Sequence, residues 1–176
     1  IILSDFKKSV EEAGLMYGPD PTSAQECTLG GNVATNASGA RSLKYGATID
    51  WVQGLRIVDG KGRVLALKNG LTEKMCAGYG ALHRPTQLFV GSEGTLGVVT
   101  RIEVSLTELP ANGFVGIVFF PDIKSAIDFT IEAQYKPAYK AASMEFLDQM
   151  CLEIIRPEAK GIAIPNDARA MIYFEQ

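Results

Sequence analysis

The residues of this chain best suited to chemistry stand out by having little side chain. Between Cys27 and Gly46, eleven of twenty residues are Gly, Ala, Ser or Thr. Within that window Thr28, Gly30, Gly31, Asn32, Thr35, Asn36, Ala37, Ser38 and Gly39 offer backbone N–H donors and short hydroxyl or amide groups without bulk. A diphosphate or a flat ring needs that combination when it must lie against main chain. An extended loop packed tightly on a sheet would use it too. A second stretch, Gly91-Ser92-Glu93-Gly94-Thr95-Leu96-Gly97, is too poor in side chain to be a core element. A P-loop requires Gly-Lys-Ser/Thr opening a helix, and that tripeptide does not occur. A dinucleotide fingerprint requires GxGxxG between strand and helix, whereas here the spacing is GxxGxxG and a strand follows. Two readings stay open: a tight turn whose N–H groups form a nest for phosphate or the polar edge of a heterocycle, or a glycine hairpin needing positive φ.

Other reactive groups are sparse. His83, the single histidine, falls in a polar loop with no carboxylate or cysteine cluster around it, so no metal site is expected. Arg41, Lys44, Tyr45 and Lys74 could meet an anionic group or simply form surface, and Trp51 reads as packing. Cys27, Cys76 and Cys151 are odd in number and widely spaced, which excludes a disulfide framework and fits a reducing, cytoplasmic setting. Asn36-Ala37-Ser38 matches a glycosylation sequon and is incidental in that setting.

The elements that must hold these stretches are legible in outline. Leu3, Phe6, Val10 and Ala13 fall at helical spacing, with Ser4 or Asp5 as cap and Gly14 as stop. Gly18-Pro19-Asp20-Pro21 removes two backbone donors and excludes a regular element. Strands are expected at Val52–Val58 and Arg63–Leu67, joined by Asp59-Gly60-Lys61-Gly62, a hairpin signal. A helical turn is expected over Leu71–Met75, and Leu88-Phe89-Val90 reads as a strand entering the second glycine stretch. Ile102, Val104 and Leu106 alternate with polar residues, the period of a strand with one wet face in an antiparallel sheet. Leu109–Gly113 reads as a linker near residue 110. Beyond it Phe114–Phe120 is expected as a buried strand, and Pro121-Asp122 to open a helix with Ile123, Ile127 and Ile131 on one face. A strand over Ala138–Phe146, a helix over Leu147–Ile155 and a strand over Met171–Phe174 complete the series. The fold class is α+β, in two parts, 1–110 and 111–176.

Composition bounds the rest. With 176 residues and 47% hydrophobic content the chain can bury a core, and disorder is excluded. A net charge of −3 argues against nucleic acid, and no stretch approaches the ~20 apolar residues of a membrane span. The chain opens Ile-Ile-Leu with no start methionine, basic n-region or cleavage site, which predicts a portion of a longer protein.

Taken together, four ordered motifs resemble one family. They are Gly-Pro-Asp-Pro-Thr-Ser (18–23), Cys-Thr-Leu-Gly-Gly-Asn-Val-Ala-Thr-Asn-Ala-Ser-Gly (27–39), Leu-Lys-Tyr-Gly (43–46) and Leu-Phe-Val-Gly-Ser-Glu-Gly-Thr-Leu-Gly-Val-Val-Thr (88–100). The sequence is similar to FAD-linked oxidases of the vanillyl-alcohol-oxidase/p-cresol-methylhydroxylase type, in the branch of the glycolate oxidase large subunit, D-lactate dehydrogenase and D-2-hydroxyglutarate dehydrogenase. Lys74 with Gly78-Tyr79 also matches that branch. The resemblance covers roughly residues 3–150.

It implies the antiparallel-sheet half of an FAD-binding domain followed by the start of an α+β cap domain. It further implies that Pro19, Asp20, Pro21, Thr22, Cys27, Thr28, Gly30 and Gly31 line the isoalloxazine and ribityl region. Thr35, Asn36, Ala37, Ser38 and Gly39 would reach the pyrophosphate and flavin edge, and Glu93, Gly94, Thr95, Gly97, Val98 and Val99 the adenosine side. Glu145 stands where relatives carry a Glu near the active site. The implied activity is oxidation of a small D-2-hydroxy acid such as glycolate or D-lactate, with hydride passing to flavin N5 and an unidentified base taking the hydroxyl proton. Reoxidation would fall to a quinone, another flavoprotein or a cytochrome. The family's first glycine-rich loop would precede Ile1, and its His and Glu residues for metal and substrate would follow Gln176. The alternative is therefore a truncated or split, non-catalytic flavoprotein module that needs a partner chain to bind FAD. A relative acting on an alditol or a lipid ether precursor is a third expectation.

Overall fold

The computed structural model describes residues 1–70, 79, 83–136 and 139–176. The helical turn expected over Leu71–Met75, together with Lys74, Cys76 and Gly78, lies outside the described residues. The chain divides into two units, Ile1–Leu109 and Pro110–Gln176.

In the first unit, helix α1 (Leu3–Glu11) buries Leu3 and Val10. The sequence suggests a Ser4 or Asp5 cap, but Ile2 precedes the helix and no side chain caps it. Tertiary contact does the capping. The first-turn amides of Leu3 and Ser4 donate to the carbonyls of Cys27 and Ala24, each at 2.9 Å, which satisfies donors that a helix start leaves open. The helix ends at Glu11, before Ala13, and Gly14 turns the chain at a φ of 74°. Strand β1 (Leu15–Met16) then pairs antiparallel with β5 (Thr107–Glu108).

The small-residue window is not an extended loop. It folds into helices α2 (Leu29–Thr35) and α3 (Ser42–Tyr45), followed by α4 (Thr48–Trp51). Local signals account for α2. Thr28 caps it by accepting from the Gly31 amide at 2.9 Å, and Asn36 closes it in the left-handed conformation, a position where Asn is tolerated. Its inner side buries Leu29, Asn32 and Val33.

Strands β2 (Val52–Val58), β3 (Val64–Lys68) and β4 (Val98–Val104) form an antiparallel sheet in the order β3-β2-β4. One face sets Leu55 and Ile57 against Val33, Phe89 and Val90, with Leu65, Leu67, Val99 and Ile102 around them. Full burial of a side chain such as Ile57 contributes about 1.5–3 kcal/mol. At the hairpin tip Asp59 accepts from the amides of Lys61 and Arg63, both at 2.9 Å, and Gly62 takes a φ of 76°. Those bonds, with the Arg63 guanidinium, hold the Asp59 carboxyl below its ordinary range. The strand expected over Leu88–Val90 is instead a 3-10 turn (Pro85–Leu88), with Phe89 and Val90 turned into the core. Core burial there explains the apolar run without extended pairing.

The second unit is a three-stranded antiparallel sheet, β6 (Val115–Phe120), β8 (Ala170–Glu175) and β7 (Ser143–Asp148), in the order β6-β8-β7. Helix α5 (Ile123–Tyr135) starts at Asp122, whose carboxylate accepts from the Ser125 amide at 2.7 Å. Helix α6 (Gln149–Ile155) starts at Asp148 in the same way, through the Cys151 amide. Ala126 and Phe129 of α5 pack with Ile172 and Phe174. Leu152 and Ile155 of α6 pack with Ile117, Phe119 and Met171. Two expectations are corrected here. The Phe114–Phe120 run is not buried: β6 is an edge strand of this sheet with Phe114 and Val115 exposed, and the central, buried strand is β8. Ile123, Ile127 and Ile131 do share a face of α5, but that face is half exposed, and small Ala126 and Ala133 make the close approach to the sheet.

Candidate functional site

The two glycine-rich stretches meet. The amide of Gly91 donates to the Val33 carbonyl and that of Glu93 to the Ala34 carbonyl, both at 2.9 Å, so the 91–97 turn is fastened to the last turn of α2. A Cβ on Gly91 would come within 3.4 Å of the Asn36 Cβ. Asn36 and Glu93, the two non-glycine residues here with positive φ (52° and 49°), lie on either side of this junction. Such conformations are uncommon outside glycine and mark places where surrounding structure dictates the backbone. Asn36 is held by its Oδ1, which accepts from the Ile49 amide at 2.9 Å. The carbonyl of Ala37 accepts from both the amide and the hydroxyl of buried Thr48, at 3.0 and 2.7 Å.

A third segment joins them. Asp20 forms a parallel bridge with Gly39, and its amide donates to the Ser38 carbonyl at 3.0 Å. The approach is so close that a Cβ on Gly39 would lie 2.0 Å from the Asp20 carbonyl oxygen, and Gly39 has a φ of 122°. The Asp20 carboxylate pairs with Lys7 of α1 and, at 3.6 Å, with Arg41. Pro19 is buried, Pro21 half-buried and Thr22 exposed. Gly18 lies under the Trp51 ring, where a Cβ would sit 2.3 Å from Cζ2, and the Trp51 indole N–H donates to the Tyr45 carbonyl at 2.7 Å. Tyr17 packs edge-on against Trp51 and Phe6. Burial pushes the Tyr17 phenol up to about 12. The nearby Thr48 hydroxyl pulls the phenol slightly the other way, but its proton is committed to Ala37, and no bond of proper geometry reaches the Tyr17 oxygen.

The side chains at several expected positions are engaged within the protein. The Thr28 hydroxyl is the cap of α2, and the Thr35 hydroxyl donates to the Gly31 carbonyl at 3.1 Å. Cys27 packs with Leu3, Tyr17 and Leu29. Gly97 is required by its own neighbours, since a Cβ there would lie 2.7 Å from Ile57 Cγ2. Val99 belongs to the core while Val98 is exposed. Thr95 donates its hydroxyl to the Ser92 carbonyl within the turn. What these positions leave for a ligand is main chain and open space. At Gly30 a Cβ would meet only the Thr28 Oγ1 at 3.9 Å, and at Gly94 nothing within 4 Å.

The remaining candidates make none of the bonds that build this junction. His83 is half-buried, its carbonyl accepting from the Gly70 amide. Lys44 stands over the Tyr45 ring at 5.3 Å. Glu145 is exposed on β7 in the second unit, opposite Tyr173. Sequence reasoning did not anticipate Lys7 as the partner of Asp20, nor Thr48 as the anchor of Ala37. No spacing rule links residues so far apart. The Thr28 cap and Asn36 stop of α2 were readable, because those residue types bracket short helices.

Residues 1–68 match the family model described as an FAD binding domain. The glycolate oxidase subunit GlcD of Bacillus subtilis is 40% identical over 179 residues, covering 100% of this chain and 36% of that protein. A D-2-hydroxyglutarate dehydrogenase of Xanthomonas citri pv. viticola is 36% identical over 151 residues, covering 86% of this chain and 30% of the relative. The chain thus spans about a third of the length of the curated relatives it matches. Among solved structures, an alkyldihydroxyacetonephosphate synthase superposes with a TM-score of 0.75 at 23% identity, over 99% of this chain and 33% of the other, and shares the fold. No helix of the described residues is long and apolar enough to cross a membrane.

Proposed function

The chain belongs to the FAD-linked oxidases of the vanillyl-alcohol-oxidase/p-cresol-methylhydroxylase type, and from that premise we propose that it supplies part of the flavin cradle of an enzyme oxidising a small D-2-hydroxy acid. The observation that carries the proposal is the junction of the two glycine stretches, with Gly91 and Glu93 bonded to the end of α2 and open space over Gly30 and Gly94. Bulk at these places would fill the room that a long, flat nucleotide needs. FAD, when bound, supplies a two-electron acceptor for the hydride of the hydroxy acid.

The chain's own residues bind and orient. Pro19 to Thr22 and Ser38 to Gly39 form one backbone wall, fixed by the Asp20–Gly39 bridge and by the pairing of Asp20 with Lys7. In the first turn of α2, Gly30 and Gly31 present a face without side chains beside the Thr28 cap. Glu93 to Gly97 presents turn main chain from the other side of the junction, with the Glu93 and Thr95 amides spent on the Ala34 and Ser92 carbonyls. On this reading residues 1–110 are the second part of the FAD-binding domain and 111–176 begin the substrate-side cap.

A second reading has the chain as a module that holds FAD only with another polypeptide. The half-exposed row of Ile123, Ile127 and Ile131 on α5 favours it, since a contiguous apolar strip on a helix face marks a contact surface.

Titration of the purified chain with FAD, followed by flavin fluorescence, separates the two readings. Saturable uptake supports the first. Uptake that appears only on adding a co-expressed partner chain supports the second, and no uptake in either case overturns both. Anaerobic bleaching of the bound flavin by glycolate, D-lactate or D-2-hydroxyglutarate then tests the substrate class.

A further inference from the structure

Outside the set of expected cofactor residues, a buried polar pair ties the sheet to the turn. Asn69, just beyond β3, is 8% exposed and Thr86, in the 3-10 turn, is fully buried. The Asn69 side chain uses both its ends. Its Nδ2 donates to the Val52 carbonyl at the start of β2, at 2.8 Å, and its Oδ1 accepts from the Thr86 hydroxyl, also at 2.8 Å. The Thr86 amide points at the same oxygen from 3.4 Å, and the Asn69 amide donates to the Gln53 carbonyl. Only a side chain with an adjacent donor and acceptor can serve both partners at once.

Downstream, the Thr86 carbonyl accepts from the amides of Phe89 and Val90, at 3.0 and 3.1 Å, whose side chains are locked in the core. The next residue is Gly91, bonded to Val33, and two further on is Glu93, bonded to Ala34. A continuous series of bonds therefore runs from the β2–β3 sheet, through Asn69 and Thr86, to the place where the glycine turn meets α2.

We propose that Asn69 and Thr86 are positioning residues of the flavin cradle, setting where the 91–97 turn docks on the end of α2. This rests on the flavin reading above. Both residues act through the turn, and neither touches the ligand.

The test compares Thr86→Val, which keeps the shape and removes the hydroxyl, with Thr86→Ser, which restores it. Amide hydrogen exchange is read in the protein without FAD, and FAD affinity by titration. In Thr86→Val, protection at the Gly91 and Glu93 amides and FAD affinity should each fall by about tenfold, the equivalent of one buried hydrogen bond. Exchange along β2 and β3 should stay at wild-type rates, and Thr86→Ser should recover both readouts. Should Thr86→Val not fold, Asn69→Ser carries the same expectations, because it withdraws from both partners without burying a charge. Unchanged exchange at Gly91 and Glu93 overturns the proposal, as does an equal loss of protection across the whole sheet, the mark of a purely structural role. A wild-type chain that takes up no FAD, alone or with a partner chain, overturns the flavin reading and the functional half of this one, while the exchange arm still decides whether the pair sets the turn.

Discussion

Replacing Gly30 with alanine sets the fold and the ligand against each other. Gly30 lies in the first turn of α2 with an ordinary helical φ, and a Cβ would meet nothing closer than the Thr28 Oγ1 at 3.9 Å. The fold therefore has no need of glycine there. Glycine inside a helix costs about 0.5–1 kcal/mol relative to alanine, so Gly30→Ala should stabilise the protein without ligand by about that much, or about 1–4 °C in Tm for a chain of this size. If the flavin lies against this turn, the added methyl intrudes on a close contact. Overpacking of that kind costs about 1–3 kcal/mol, which corresponds to about a 5- to 150-fold weaker Kd. Gly60, at the hairpin tip, is the control, since a Cβ there also meets nothing within 4 Å. Gly60→Ala should leave FAD affinity unchanged. Thermal unfolding without FAD and fluorescence titration with it measure the two effects separately. A Gly30→Ala variant that gains stability and binds FAD as tightly as wild type would refute the placement of the ligand over α2.

Gly39→Ala should do the opposite to the fold: a Cβ 2.0 Å from the Asp20 carbonyl at a φ of 122° should cost about 2–4 kcal/mol by urea unfolding, and a loss below 1 kcal/mol would show that the Asp20–Gly39 bridge is not rigid. Tyr17→Phe removes a buried hydroxyl without a partner and should be neutral or stabilising by up to about 1 kcal/mol at pH 7. Because burial raises the wild-type phenol to about 12, the wild-type fold keeps its full stability below the unfolded value near 10 and loses about 2–3 kcal/mol as pH rises towards 12. Tyr17→Phe should flatten that alkaline limb in unfolding curves at pH 9–11.5 (denaturant method), and an unaltered limb would discount the phenol. Asp59, Asp122 and Asp148 are held below their ordinary range chiefly by backbone amides, so their contribution is present above the unfolded value and lost as pH falls through the depressed one. The triple Asn variant should accordingly lose less stability than wild type between pH 5 and pH 2.

What was legible in the sequence was what local chemistry dictates. The hairpin at Asp59–Gly62 follows from a carboxylate that can satisfy two amides of its own turn, and the start of α5 from the reach of Asp122 to Ser125. The fold class and the family followed from motif order. The errors arose where distant segments override local preference. Helix α1 has no side-chain cap because Cys27 and Ala24 serve its first amides. In the Leu88–Val90 run Phe89 and Val90 fill the core with Val33 of α2 while Leu88 is exposed, and an apolar run of three carries no period to distinguish strand from turn. The isoleucine row of α5 predicts a helix correctly and its buried face wrongly, because the close contact to the sheet is made by alanines. At the candidate site, the sequence pointed to the small residues but not to what holds them: Lys7 on Asp20 and Thr48 on Ala37 are tertiary partners.

Six glycines of the first unit show two physical patterns, and the contrast between them bears on function. Gly18, Gly39, Gly46 and Gly97 are demanded by the protein itself. A Cβ would strike Trp51 at 2.3 Å, the Asp20 carbonyl at 2.0 Å, the Asp50 carboxylate at 2.3 Å and Ile57 at 2.7 Å, respectively. Three of these four also have positive φ. They make room for neighbouring side chains or main chain, and they would be needed whether or not anything bound. Gly30 meets neither demand, and Gly94 meets only the conformational one, with a φ of 79° and open space beyond it. Gly39 brings the 36–39 segment onto Asp20, the rest of the first group fit against Trp51, Asp50 and Ile57, and the second group leaves uncovered surface on α2 and on the 91–97 turn. A fold selected only for stability would fill Gly30 with alanine at a gain. Its remaining glycine, in a helix fastened to the 91–97 turn by two backbone bonds, is the pattern expected where a ligand completes the packing that side chains leave undone.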